Sequence, residues 1–310
     1  MEAIVIEDLV KSYGHFVAVD HASLHVDEGT VYGLIGPNGA GKSTIIRSMM
    51  GIVPYQGGRI FVSGVDMSGK DAQRKVRIGY LPQKAAFQEY LTSQQALHTL
   101  GRLSGLEGDQ LRTRIDEVME RLGIEQYRDR KVNKLSGGNL QKLGFAQAIL
   151  HEPSVLVLDE PMASLDPSSR FLFKTIIKEL RDSGTTILFS SHILSDVEDL
   201  ADSVGLLQNG QVRYSGPIQG LRDRMSMRSE LVVELSRDNG EWKNVVIPGV
   251  DISQPSVGWL VFHIDDPAKW DSFIPTIIGS LLNAGCPIRS VNRHDPKLED
   301  IYMAYVGGSQ

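Results

Sequence analysis

The sequence predicts an α/β protein: a parallel core sheet with helices on its faces, an antiparallel β cap, an inserted helical lobe, and a small C-terminal α+β domain. Three observations predict it. The runs Val31-Tyr32-Gly33-Leu34-Ile35, Val155-Leu156-Val157-Leu158 and Thr185 to Ser190 are apolar without alternation, as strands buried on both faces of a parallel sheet are. A glycine-rich stretch lies between the first run and a helical pattern. From Leu91 to Asn133 the chain turns polar, helical and leucine-punctuated, the mark of a separate lobe.

Bulk properties bound the answer. The 310 residues leave room for a large and a small domain, and 41% hydrophobic with 23% charged residues is the balance of a folded protein. A formal charge of −6 with scattered basic residues carries no footprint for nucleic acid, so no nucleic-acid partner is expected. No apolar run approaches the roughly 18 to 20 residues that span a bilayer, and Met1-Glu2-Ala3-Ile4 lacks the basic start of a signal peptide, so a cytosolic chain is expected. The one cysteine, Cys286, fits a reducing compartment and reads as a packing thiol.

In chain order, Ala3 to Val10 and Phe16 to Val26 are β-rich and joined at Tyr13-Gly14-His15, forming the expected cap. Tyr13 is either a surface aromatic at a turn or a platform for a nucleotide base; the residues leave both open. Gly36-Pro37-Asn38-Gly39-Ala40-Gly41-Lys42-Ser43-Thr44 then follows the first buried strand and opens a helix running to Met50. Its G-x-x-x-x-G-K-S spacing is that of a phosphate-binding loop. Glycines let successive N–H groups turn toward one phosphate, and the helix N-terminus adds partial positive charge. Lys42 is expected to reach the β- and γ-phosphates and the Ser43 hydroxyl to ligate Mg²⁺.

Gly57 to Val65 reads as a strand pair or edge, and Val76 to Leu81 as a buried strand ending in Pro82-Gln83, where a glutamine is ordinarily just solvated. In the helical lobe, Thr92-Ser93-Gln94-Gln95 has capping-box spacing, and Leu111, Ile115, Val118, Met119 and Leu122 form one apolar face. Leu135-Ser136-Gly137-Gly138-Asn139 opens the helix Leu140 to Leu150, either as a plain N-cap and turn or as a second anion site. The run Val155 to Leu158 ends in Asp159-Glu160, where α/β sheets bind their ligands. Asp159 is expected to hold Mg²⁺ through water, and Glu160 to orient or deprotonate an attacking water.

Ser164-Leu165-Asp166-Pro167 turns into the helix Ser168 to Leu180. The strand Thr185 to Ser190 leads to Ser191-His192, which puts His192 on the same sheet edge as a functional candidate. Ala201 to Leu207 and Gln211 to Tyr214 form a hairpin around Gln208-Asn209-Gly210. A basic helical linker, Gly216 to Arg228, precedes strands at Glu230 to Ser236, Lys243 to Ile247 and Val257 to Ile264. Trp270, Phe273, Ile274, Ile277, Ile278, Leu281 and Leu282 mark a helix face, with Pro275 a kink and Gly285 a C-cap. Strand Pro287 to Asn292 and helix Leu298 to Tyr305 follow. This domain shows no catalytic pattern, and with no internal repeat the chain carries one nucleotide unit.

With Ser136-Gly137-Gly138 between the phosphate loop and Asp159-Glu160, and His192 beyond, residues 1–220 resemble the ATP-binding subunit of ABC transporters, which is a P-loop NTPase. The resemblance implies ATP and Mg²⁺ as ligands. It makes Tyr13 the adenine-stacking aromatic, Gly36 to Thr44 the Walker A loop, and Gln83 the Q-loop glutamine that contacts the metal and couples the site to the helical lobe of residues 84–134. It makes Ser136, Gly137 and Gly138 the core of the signature, Asp159 the Walker B aspartate, Glu160 the catalytic glutamate, Asp166 the D-loop aspartate and His192 the switch histidine. Asn139 departs from the family's usual glutamine but keeps the amide, and Lys142 and Gln147 replace frequent arginines. Those replacements, and residues 221–310 ending in Leu298-Glu299-Asp300-Ile301-Tyr302, resemble the branch that exports drugs or sodium through a separate permease.

The resemblance further implies a head-to-tail homodimer, or a heterodimer with a similar chain, in which each signature caps the partner's γ-phosphate. It places the chain in the cytoplasm, on the inner face of the membrane through an integral membrane permease. Two other readings are a soluble ABC-type ATPase acting on ribosomes or DNA, and a nucleotide-gated regulatory subunit. Relatives of the first kind fuse two nucleotide units or insert a long coiled coil, which this chain lacks, and the complete set of catalytic candidates argues against the second.

Overall fold

Two long strands open the chain, β1 (Glu2–Tyr13) and β2 (Phe16–Asp27), paired antiparallel about the turn Gly14-His15. The coordinates are a computed structural model that describes residues 1–69, 72–163, 165–224, 230–264, 270–294 and 297–307. Strand β3 (Val31–Ile35), buried at every residue, runs through the phosphate loop into α1 (Lys42–Met49). Strands β4 (Gly57–Val62) and β5 (Val65–Asp66) complete an antiparallel cap in the order β2-β1-β4-β5. Helix α2 (Ala72–Lys75) leads to β6 (Ile78–Leu81).

The lobe that follows holds α3 (Ser93–Leu103), α4 (Gly108–Arg121) and two 3-10 turns, Glu125–Tyr127 and Val132–Lys134. Thr92 caps α3 in a reciprocal capping box with Gln95, as its spacing predicts. The face Leu111, Ile115, Val118 and Met119 of α4 is buried; each such side chain contributes about 1.5–3 kcal/mol by leaving water. Helix α5 (Gly137–Ile149) returns to the core, where Phe145 meets Phe173 with ring centroids 4.4 Å apart.

The chain continues through β7 (Val155–Leu158), α6 (Pro167–Asp182), β8 (Thr186–Ser191), α7 (Leu194–Leu200), β9 (Ser203–Gln208), β10 (Gln211–Pro217) and α8 (Ile218–Arg224). The six-stranded sheet has the order β10-β9-β3-β8-β7-β6, parallel except for β10. Its strands β3, β7 and β8 are buried on both faces, which is why their sequences do not alternate. Because β8 lies between β3 and β7, the phosphate loop, Asp159-Glu160 and His192 leave adjacent strands at one edge. The linker predicted from Gly216 is strand to Pro217 and then α8; its residues 225–228, like Ser164, lie outside the described residues.

The chain divides into two compact units, Met1–Ile218 and Gln219–Gln310. In the second, β11 (Glu230–Leu235), β12 (Val250–Ser256), β13 (Trp259–Ile264) and β14 (Ile288–His294) form an antiparallel sheet ordered β12-β13-β11-β14. Helix α9 (Trp270–Asn283) sets Ile277 and Leu281 against Leu231, Val233 and Phe262, and α10 (Leu298–Gly307) follows β14. Leu282 is 56% exposed, so the apolar face of α9 is narrower than predicted; the side chain of Trp270 lies outside the described residues. Gly285, at φ 76, lets the amide of Cys286 close on Leu281 O at 2.9 Å and end the helix.

One prediction fails here: Lys243 to Ile247 is not a strand. The side chains of Asp238 and Asn239 accept hydrogen bonds from the amides of Gly240 and Glu241, turning the chain into a 3-10 helix at Glu241–Asn244. The strand in this region is β12, a polar edge strand that tolerates Pro255.

Candidate functional site

The phosphate loop is pressed between two backbones. An ideal Cβ on Gly36 would lie 2.3 Å from Leu207 O, and one on Gly41, at φ 111, would lie 2.5 Å from Ala18 O, so these two positions require glycine. No side chain caps α1, whose N-cap is Gly41, so its first-turn amides remain for a ligand. Lys42 is buried; its Nζ donates to Gly36 O at 2.7 Å and Pro37 O at 3.3 Å and lies 3.4 Å from Glu160 Oε1.

The carboxylates at the end of β7 are held from the start of α1 and from the end of β8. Asp159 is fully buried; its Oδ1 accepts from Ser43 Oγ at 3.0 Å and from Ser190 Oγ at 2.7 Å, while Oδ2 is buried without a hydrogen-bond partner. These oxygens suit a hard divalent cation. Glu160 has a left-handed backbone at φ 50, and its amide donates to Ser190 Oγ at 2.9 Å. Its Oε2 accepts from His192 Nδ1 at 2.8 Å. The next carbonyl, Pro161 O, accepts from the buried Gln141 of α5 at 3.2 Å.

A cleft of about 390 Å³ opens over the loop, lined by Tyr13, Phe16, Ala18, Asn38 to Thr44, Gln83 and Glu160. Tyr13 is half-exposed, with the Lys11 ammonium 4.7 Å from its ring centroid, and Phe16 is 63% exposed beside it. The cleft combines an apolar mouth with a floor of amides, an ammonium and a carboxylate, which suits an aromatic base joined to phosphates.

The structure therefore brings together Tyr13, the loop Gly36 to Thr44, Gln83, Asp159, Glu160 and His192. It does not bring Ser136, Gly137, Gly138 or Asp166 to this cleft. Ser136 caps α5 by accepting from the amide of Asn139 at 3.4 Å, and Gly137 is exposed with open space around it. Asp166 caps α6, accepting from Ser169 N at 3.0 Å and Ser169 Oγ at 2.7 Å. The hydroxyls of Ser168 and Ser169, with that amide, hold its carboxyl well below the usual carboxylate range. Sequence reasoning missed Phe16, Gln141 and Ser190. Phe16 had a signal, since it faces Tyr13 across the first hairpin; the other two match no spacing rule.

The chain is similar to known proteins over most of its length. Residues 19–163 match the ABC transporter family model. The chain is 33% identical to the ABC transporter ATP-binding protein YxlF of Bacillus subtilis, over 97% of this chain and 98% of that protein. It is 32% identical to the daunorubicin resistance ATP-binding protein DrrA2 of Streptomyces coeruleorubidus, over 98% of this chain and 95% of that one. Among solved structures, an ATP-binding subunit of an ABC transporter superposes with a TM-score of 0.68 at 28% identity, covering 73% of this chain and 94% of its own.

Proposed function

The chain belongs to the ABC transporter ATP-binding family and is an ATP-binding, ATP-hydrolysing subunit of such a transporter; we propose that it hydrolyses ATP in the Lys42 cleft with Glu160 as general base. The observation that carries this reading is the meeting of Lys42 and His192 on the two oxygens of one carboxylate, at 3.4 and 2.8 Å. Adenine stacks on Tyr13, and the phosphates take the loop amides and the Lys42 ammonium. Glu160 orients the attacking water and accepts its proton, and His192 contacts the γ-phosphate. Ser43, Asp159 through water, and Gln83 would hold Mg²⁺, which would neutralise charge on the phosphates. Phosphoryl transfer needs little more than positioned charge and a positioned water, and this edge of the sheet supplies both.

Ser136, Gly137, Gly138 and Asp166 serve a second cleft. Their exposure outside this chain's own site supports a head-to-tail dimer, in which each signature closes over the partner's nucleotide. Either two copies or this chain with a similar one meet the requirement. The helical lobe docks on a separate membrane permease, a role supported by an apolar groove lined by Ala86, Phe87, Leu91, Leu100 and Leu103, the last 80% exposed. No described helix is long and apolar enough to cross a membrane; in this reading the permease holds the chain on the cytoplasmic face. Similarity to a relative named for daunorubicin resistance favours export.

Purification of the tagged chain from its own cell membranes in mild detergent tests the assignment. Co-elution with a polytopic membrane protein is expected. Elution alone, or with ribosomes or nucleic acid, would contradict it.

A further inference from the structure

We propose that Ser190 is a positioning residue for ATP hydrolysis: its one buried hydroxyl fixes both carboxylate residues of the site. The inference rests on the reading of Asp159 and Glu160 as the hydrolytic pair. Ser190 is fully buried at the end of β8, two residues before His192. Its Oγ accepts the amide hydrogen of Glu160 at 2.9 Å and donates its own hydrogen to Asp159 Oδ1 at 2.7 Å.

Each bond has a distinct consequence. Glu160 is a non-glycine residue at φ 50, a conformation that persists only where neighbouring structure holds it. The bond to Ser190 satisfies the amide in that conformation, and so sets the height from which the Glu160 side chain reaches Lys42 and His192. The bond to Asp159 does something else. Oδ1 accepts from both Ser43 and Ser190; Ser43 would ligate a cation through its lone pairs, and Ser190, which would not touch the cation, holds Oδ1 against rotation of the carboxylate. Oδ2, buried and without a hydrogen-bond partner, then keeps its place for a metal-bound water.

Threonine can make both bonds, whereas valine fills the same volume and makes neither. The test therefore compares wild type with Ser190→Thr and Ser190→Val, after both variants are shown to melt cooperatively. ATP turnover gives kcat and KM, and ADP binding by calorimetry, in EDTA and in excess MgCl₂, gives a readout independent of turnover. Ser190→Val is expected to lower kcat about 10- to 100-fold, the rate equivalent of a charge-assisted hydrogen bond, with KM rising by less than kcat falls. ADP affinity in EDTA should be unchanged, while the tightening caused by Mg²⁺ should shrink by about fivefold or more. Ser190→Thr should stay within about threefold of wild type in every readout.

Ser190→Val matching wild type in kcat and in Mg²⁺ response would overturn the proposal. So would Ser190→Thr failing as badly as Ser190→Val, since the hydroxyl would then not be the cause. A wild-type chain that neither hydrolyses ATP nor responds to Mg²⁺ would instead refute the reading of the site, and the proposal with it.

Discussion

Nδ1 of His192 lies 2.8 Å from Oε2 of Glu160, on a carboxylate whose other oxygen is 3.4 Å from the Lys42 ammonium. A carboxylate only accepts, so Nδ1 carries the hydrogen of this bond. Two groups, one from the start of α1 and one from just beyond β8, thus bear on the two oxygens of one side chain.

His192→Ala removes a donor from the centre of charge development. Turnover is expected to fall by about 10²- to 10³-fold, with the nucleotide KM nearly unchanged because base and loop contacts remain. Steady-state ATPase kinetics check this split.

Gln83 lies on the cleft wall immediately after β6, where the chain leaves the sheet for the helical lobe. Gln83→Ala is expected to lower partner-stimulated turnover more than basal turnover. Assaying the chain alone and with its permease in proteoliposomes decides it, and an equal loss in both would refute the coupling role.

Asp196 is buried in α7 between two cations of α6, 2.6 Å from Arg170 Nη2 and 2.8 Å from Lys174 Nζ. Asp196→Ala leaves these half-buried charges without their shared acceptor and should cost about 2 to 3 kcal/mol. Asp196→Asn, which keeps an acceptor, should cost less. Urea unfolding midpoints measure both.

A pH dependence follows from His151. Nε2 donates to Ile78 O at 3.2 Å, and Nδ1 is buried with no hydrogen-bond partner. Burial lowers its pKa below the ordinary 6.5, with nearby Arg77 adding to the effect and the Ile78 bond opposing it. The folded state therefore binds the second proton less readily than the unfolded one. The resulting stability is full above the unfolded value and is lost as pH falls through the folded one. Unfolding free energies measured from pH 8 down to about 5 should decline for wild type and decline less for His151→Gln.

The parts legible in the sequence are those whose chemistry demands a residue type at a fixed spacing. The phosphate loop and the apolar strands before Asp159 and His192 could be read because a phosphate cradle and a two-faced sheet each constrain sequence strongly. Ser190 could not, because its role exists only where β7 and β8 lie side by side. Strand β12 was missed although Val250-Asp251-Ile252-Ser253 alternates with the period of a half-buried strand, because the run is short and ends at Pro255, which reads as a strand breaker but is tolerated at this edge position. Ser136 shows the limit of local pattern: the cap it makes is visible in one chain, while a role at a partner's phosphate depends on a surface this chain does not itself contain.

The most direct test of the account is the ATP turnover of Glu160→Gln, measured alongside nucleotide binding and oligomeric state. The substitution keeps the side chain's size and removes its basicity. The account predicts retained ATP binding, turnover reduced by about 10²- to 10⁴-fold, and an accumulated ATP-bound dimer. Turnover equal to that of the wild type would contradict it.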